Sequence, residues 1–108
     1  HNGVLKLEGL EHNLKLNTLD VTSNRVSKLE NISHLVHLEE LWASSNRLDS
    51  YEEVEEQCSG LKDLRTVYFE GNPLQTEQRS EYRRRIKQII PHLTQIDGDM
   101  CKPDPNSP

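Results

Sequence analysis

His34 and His37, the thiols of Cys58 and Cys101, and an Arg-rich run from Arg79 to Lys87 are the residues whose types first suggest chemistry. The histidine spacing suits a metal ion, but no Cys or carboxylate lies in step with it to close a tetrahedral site. Two Cys far apart in the chain make neither a zinc knuckle nor a disulfide framework, and their use suits a reducing compartment. There is no glycine-rich phosphate loop, and no Ser or Cys nucleophile has an evident base. The chain therefore reads as a non-enzyme with no metal and no cofactor. Arg79, Arg83, Arg84, Arg85 and Lys87 could meet phosphates, but they read better as the wet side of a helix near its C-terminal end, where cations are favoured. Glu52, Glu53, Glu55 and Glu56 form a solvated patch of opposite sign.

The more specific chemistry is binding. The one Trp of the chain, Trp42, and Tyr68 occupy equivalent positions of successive segments, and Asp20, Glu40 and Glu70 surround them in the pattern described below. Trp and Tyr are the residues most enriched at binding hot spots. An acidic rim around two aromatics suits a protein partner with a basic, partly apolar surface, and argues against RNA on this face.

Composition narrows the class of molecule able to hold such a surface. The chain has 108 residues, enough for one domain at most. Hydrophobic residues make up 32% and charged ones 29%, with a net charge of −5. That balance gives nucleic acid no default claim as a partner. The longest apolar runs are two or three residues, too short for a transmembrane helix or a signal-peptide core, so no membrane is expected. Disorder throughout is excluded because fifteen Leu recur at regular spacing.

That spacing is a repeat. Leu16-x-x-Leu19-x-Val21-x-x-Asn24-x-Val26 recurs 22 residues later as Leu38-x-x-Leu41-x-Ala43-x-x-Asn46-x-Leu48. It recurs again as Leu64-x-x-Val67-x-Phe69-x-x-Asn72-x-Leu74, and a tail of an earlier copy is legible in Asn2, Val4, Leu7 and Leu10. This is the leucine-rich repeat pattern. The alternating apolar residues place one face of a short strand in a core, and stacked copies build a parallel sheet on the concave side of an arc. Asn24, Asn46 and Asn72 fall where each strand turns outward, and a buried amide there both donates to and accepts from turn backbone. The residues between the strand leucines face the concave side: Thr18, Asp20, Thr22, then Glu40, Trp42, Ser44, then Thr66, Tyr68, Glu70.

Val26, Leu29, Ile32 and Leu35, spaced by three, predict 3₁₀-like turns on the convex side. In the longer next repeat, Ser50-x-x-Glu53 reads as a capping box opening a helix over 51–58, with Gly60 as its stop and Cys58 as a small buried hydrophobe. Tyr82, Ile86, Ile89 and Ile90 predict an amphipathic helix ended by Pro91. Such a helix shields the open end of a repeat core. The fold class expected is thus an α/β leucine-rich-repeat solenoid with a concave parallel sheet, 3₁₀ or short helices on the convex side and a C-terminal cap helix. The expected division is repeats over 1–74, cap over 75–97 and a flexible tail over 98–108. The first strand is missing from the N-terminal copy, so the array reads as the truncated C-terminal part of a longer solenoid, with Val4, Leu7 and Leu10 over an uncovered core. Asn31-Ile32-Ser33 matches a glycosylation acceptor, but Ile32 is a core position of the repeat.

Leu14-Lys-Leu-Asn-Thr-Leu-Asp-Val-Thr-Ser-Asn24, Glu30-Asn-Ile-Ser-His-Leu35, the Trp42 strand, and Thr66-Val-Tyr68 closing in Asn72-Pro-Leu-Gln75 resemble the C-terminal third of the protein phosphatase 1 regulatory subunit 7 family, over about residues 2–97. The resemblance implies a non-catalytic regulatory or scaffold subunit. It would bind the catalytic subunit of type-1 serine/threonine protein phosphatase through the concave face, with Asp20, Glu40, Trp42 and Tyr68 as contacts; Glu70 follows from geometry alone. It also implies a second inhibitory subunit in the complex, a nuclear and cytoplasmic location, and neither direct nucleic acid nor a small-molecule ligand. Ala43, where the family carries a larger apolar residue, and the Arg-rich cap helix depart from its pattern. The repeat and cap alone are shared with scaffolds of the spliceosomal A′ type, which bind an RNA-binding-domain protein, and that is the alternative reading.

Overall fold

Short extended segments with one apolar face cannot close a core alone, and the chain solves this by stacking them. The computed structural model of the chain describes Leu7 and residues 10–101. Among these, β1 (Thr18–Asp20), β2 (Glu40–Trp42), β3 (Thr66–Tyr68), β4 (Gln95–Ile96) and β5 (Asp99–Met100) form one sheet in chain order. The first four strands pair in parallel and β5 returns antiparallel to β4. Among the described residues three helices, α1 (Tyr51–Cys58), α2 (Pro73–Thr76) and α3 (Arg79–Ile89), lie in the connections.

The repeat leucines form a single buried cluster. Leu38, Leu41, Leu61, Leu64, Val67 and Phe69 are fully enclosed, and each such side chain contributes about 1.5–3 kcal/mol by leaving water. Ala43 and Phe69 are successive residues of one row, and both are buried. On the β1 side Leu16, Leu19 and Val21 are only partly buried.

The asparagine positions act as the spacing predicts. Asn46 accepts from the Val26 N–H at 3.0 Å and donates to the Val21 and Ala43 carbonyls. Asn72 repeats the arrangement one turn on, accepting from Leu48 and donating to Ala43 and Phe69. Each amide thus ties its own turn to the preceding one. The residue before each asparagine has left-handed backbone: Ser23 at φ 60°, Ser45 at φ 58° and Gly71 at φ 81°.

The convex side carries the expected tight turns and short helix, but not along its whole length. Between Val26 and Leu38, turns closed by i→i+3 bonds occur at Ile32–Leu35 and Leu35–Leu38, and the next repeat has the same turns at Cys58–Leu61 and Leu61–Leu64. The stretch from Val26 to Ile32 holds no helical turn, because side chains of the next repeat take its amides: Glu53 accepts from Leu29, and Gln57 from Ile32 and Ser33. The capping box over α1 is therefore half formed. Ser50 accepts from the Glu53 N–H at 3.2 Å, while the Glu53 carboxylate reaches the neighbouring repeat. Gly60 is not in left-handed backbone; α1 ends at Ser59 in ordinary helical geometry.

The cap helix buries Tyr82 and Ile86, with Ile90 buried at its end and Ile89 partly so, before Pro91. The uncovered core expected over the first residues is corrected at Leu7, which is 3% exposed and whose carbonyl accepts from Asn31. Leu10 is partly buried and Val4 lies outside the described residues. The flexible tail expected from Gly98 is corrected over 98–101. Asp97 at φ 53° and Gly98 at φ 87° make a two-residue hairpin turn, Ile96 pairs with Asp99, and Cys101 donates to Thr94. Both turn residues need positive φ, which Asp-Gly supplies in a type I′ turn.

Candidate partner-binding face

Strand alternation sends Leu19, Leu41 and Val67 into the core and their neighbours to the other face. Parallel register then aligns those neighbours into rows across the sheet. One row runs Thr18, Glu40, Thr66, Gln95, and the next Asp20, Trp42, Tyr68. Three of the five residues singled out from the sequence, Asp20, Trp42 and Tyr68, therefore stand side by side, and Glu40 lies beside them on β2.

The aromatic pair is a built contact. The Trp42 and Tyr68 ring centroids are 5.3 Å apart at an interplanar angle of 57°, a tilted geometry that aromatic quadrupoles favour. The Trp42 indole N–H donates to Glu40 Oε1 at 2.9 Å. Glu40 thus fixes the indole while its own charge stays at the surface. Trp42 remains 37% exposed, one of few large apolar residues so placed among those described. Asp20 accepts from the Thr22 N–H at 3.0 Å, which holds its carboxylate at the edge of the row. Glu70 is exposed just beyond β3. Its carbonyl accepts from Ser45 and its N–H donates to Asp97 Oδ1 at 3.1 Å.

The other candidates have structural partners. His34 Nε2 donates to the Leu10 carbonyl, and His37 faces Asp63 at 3.8 Å on the surface. Of the cap-helix cations, Arg83 donates to the Ile96 carbonyl and Lys87 to the Pro91 and Leu93 carbonyls. Arg84 pairs with Glu81, and Arg85 lies 4.1 Å over the Tyr51 ring. Much of the basic cluster is thereby engaged in holding the cap together. Cys58 is fully buried, and burial pushes its thiol up to about 12. No group of three or more metal-ligating side chains occurs among the described residues.

Asp97 is the residue that sequence reasoning missed. It sits next to the aromatic row, and the Asp97-Gly98 dipeptide was the available signal, since it is among the strongest short-range hairpin signals.

No protein-family model matches the chain. Among curated proteins it is 50% identical over 48 residues to protein phosphatase 1 regulatory subunit SDS22 of Schizosaccharomyces pombe, covering 44% of this chain and 14% of that protein. It is 47% identical over 47 residues to protein phosphatase 1 regulatory subunit 7 of Xenopus tropicalis, covering 44% of this chain and 13% of that protein. The SDS22 homologue of Caenorhabditis elegans is 40% identical over 42 residues, 39% of this chain and 13% of that one. The matched stretch is thus a small part of each relative. Among solved structures, the Chaetomium Mex67:Mtr2 subunits superpose with a TM-score of 0.68 at 21% identity, over 82% of this chain and 57% of that one. The Drosophila melanogaster SNF/U2A′ complex gives 0.62 at 23% identity over 94% and 72%. A Listeria monocytogenes internalin gives 0.60 at 22% identity over 82% and 23%. At these identities the likeness is one of fold, and the fold is the leucine-rich-repeat solenoid.

Proposed function

We propose that this solenoid, similar over part of its length to regulatory subunits of protein phosphatase 1, is part of a non-catalytic regulatory subunit that binds the catalytic subunit of a type-1 serine/threonine phosphatase through its concave face. One observation carries the reading: the Trp42–Tyr68 pair, locked by Glu40 and standing in one row with Asp20, leaves a rigid aromatic surface exposed where the repeat's own packing has no use for it. A preordered aromatic anchor loses little side-chain freedom on binding and suits the centre of a protein interface. Asp20, Glu40 and Glu70 supply the acidic surround, which favours a basic partner surface and speeds encounter with it.

The contact residues in this reading are Asp20, Glu40, Trp42, Tyr68 and Glu70. The chain acts by occupying and holding its partner, and any metal belongs to that partner. A second inhibitory subunit in the complex, and a nuclear and cytoplasmic location, belong to the same reading and rest on the resemblance alone. The test is a titration of the full chain with purified type-1 phosphatase catalytic subunit. Saturable binding that weakens on Trp42→Ala and on raising the salt supports the reading, and absence of binding overturns it.

A further inference from the structure

In the regular part of the sheet each strand donates to carbonyls of the next one. Val21 donates to Trp42 and Ser23 to Ser44; Ala43 donates to Tyr68 and Ser45 to Glu70. The same progression would send the Phe69 N–H to the main-chain carbonyl of Asp97. It does not, because at Asp97 and Gly98 the chain turns back through positive φ to form β5. The Asp97 side chain takes over instead. Its Oδ1 accepts from the Phe69 N–H at 2.8 Å and from the Glu70 N–H at 3.1 Å. Gly71, next in line, donates to Gln75. The Tyr82 hydroxyl of α3 is buried with no hydrogen-bond partner among the described residues, and burial first and the nearby Asp97 carboxylate second hold its proton on.

From this geometry we infer that Asp97 is a positioning residue for partner binding: its carboxylate fixes the backbone directly after Tyr68 and thereby holds Tyr68 against Trp42 and Glu70 at the rim. The inference rests on the phosphatase-binding reading and adds a residue that itself stays out of the contact. One side-chain oxygen accepting two amide donors is an arrangement that a turn residue without a side-chain acceptor cannot make. Without it, two N–H groups at the edge of the binding row lose their acceptor, and the backbone at Phe69 and Glu70 loses its tie to the turn after β4.

Two substitutions separate the carboxylate from the turn. Asp97→Gly keeps the positive φ the hairpin needs and removes the acceptor; Asp97→Asn keeps the turn and an acceptor oxygen. In the full chain, Asp97→Gly is expected to weaken binding of the phosphatase catalytic subunit about tenfold, with Asp97→Asn restored to within about twofold of the parent. The emission of Trp42, the one tryptophan of the chain, shifts in Asp97→Gly and not in Asp97→Asn. Hydrogen exchange of the parent protein supplies a readout needing no variant, with the Phe69 and Glu70 amides protected. Parent-like binding and emission in Asp97→Gly, equal losses in both variants, or fast exchange at these two amides would each overturn the inference. Failure of the proposed function looks different: there the parent does not bind, or Trp42→Ala binds as well as the parent.

Discussion

Trp42 and Tyr68 occupy the same step of adjacent parallel strands, and their rings meet at 5.3 Å with the indole N–H held by Glu40. Two side chains 26 positions apart in the chain thus form one surface, and that surface is stiff before any partner arrives. In the proposed reading, part of the affinity for a partner comes from side-chain freedom already given up in folding.

Trp42→Ala is expected to leave the fold nearly intact, because the removed ring packs on the sheet surface and not in the core. Stability in urea should change by about 1 kcal/mol or less, the worth of an exposed aromatic pair. Affinity for the phosphatase catalytic subunit should fall by about 2 kcal/mol, roughly thirtyfold. A collapse in stability, or unchanged affinity, refutes the anchor role.

Asn46→Ala removes an amide serving both its own turn and the preceding one. The Val26 N–H loses its acceptor, and the Val21 and Ala43 carbonyls lose a donor. Buried groups left unpaired cost about 1–3 kcal/mol each where water cannot reach them, so a loss of at least about 2 kcal/mol is expected from the urea midpoint. Asn46→Asp keeps the acceptor but offers the carbonyls no donor, and should not restore stability.

Gly71→Ala tests the left-handed turn before the asparagine. At φ 81° a side chain is strained, and an added Cβ would lie 3.1 Å from Ser45 Oγ and 3.3 Å from Ser45 backbone atoms. A loss of about 1–3 kcal/mol is expected. Ser45→Gly, at the equivalent turn with φ 58°, is expected to be neutral or to gain up to about 1 kcal/mol. Thermal unfolding of the two variants side by side decides the matter, and equal losses would show that the turn does not discriminate.

Cys58 and Cys101 should separate in reactivity. Burial raises the Cys58 thiol from an ordinary 9.0 to about 12, whereas Cys101 is partly exposed. An alkylating reagent near neutral pH should modify Cys101 in the native protein and Cys58 only after unfolding, as read by peptide mass. The linkage has a definite sign. Folded Cys58 holds its proton more tightly than unfolded Cys58, so its contribution is intact below pH 9.0 and is lost as pH rises toward about 12. Tyr82, raised by burial and then by Asp97, adds to the same slope. Urea midpoints should fall as pH rises from about 9 toward about 12, and fall less in Cys58→Ala.

The sequence by itself determined the repeat, the strand slots, the asparagine positions and the two longer helices. All of these follow from local rules: alternation along a strand, the 3.6-residue stripe of α3, and Ser50 at the start of α1. It also determined that Asp20, Trp42 and Tyr68 share a face, because a parallel repeat in constant register copies each slot onto the next strand. Only the tertiary structure decided which polar groups serve a neighbouring repeat. Glu53 caps Leu29 in place of its own helix, Gln57 takes two amides across the convex side, and Asp97 ends the ladder at Phe69 and Glu70. Periodicity says which way a side chain points. Stacking distance between repeats sets what it reaches, and that distance arises only once the whole core has packed.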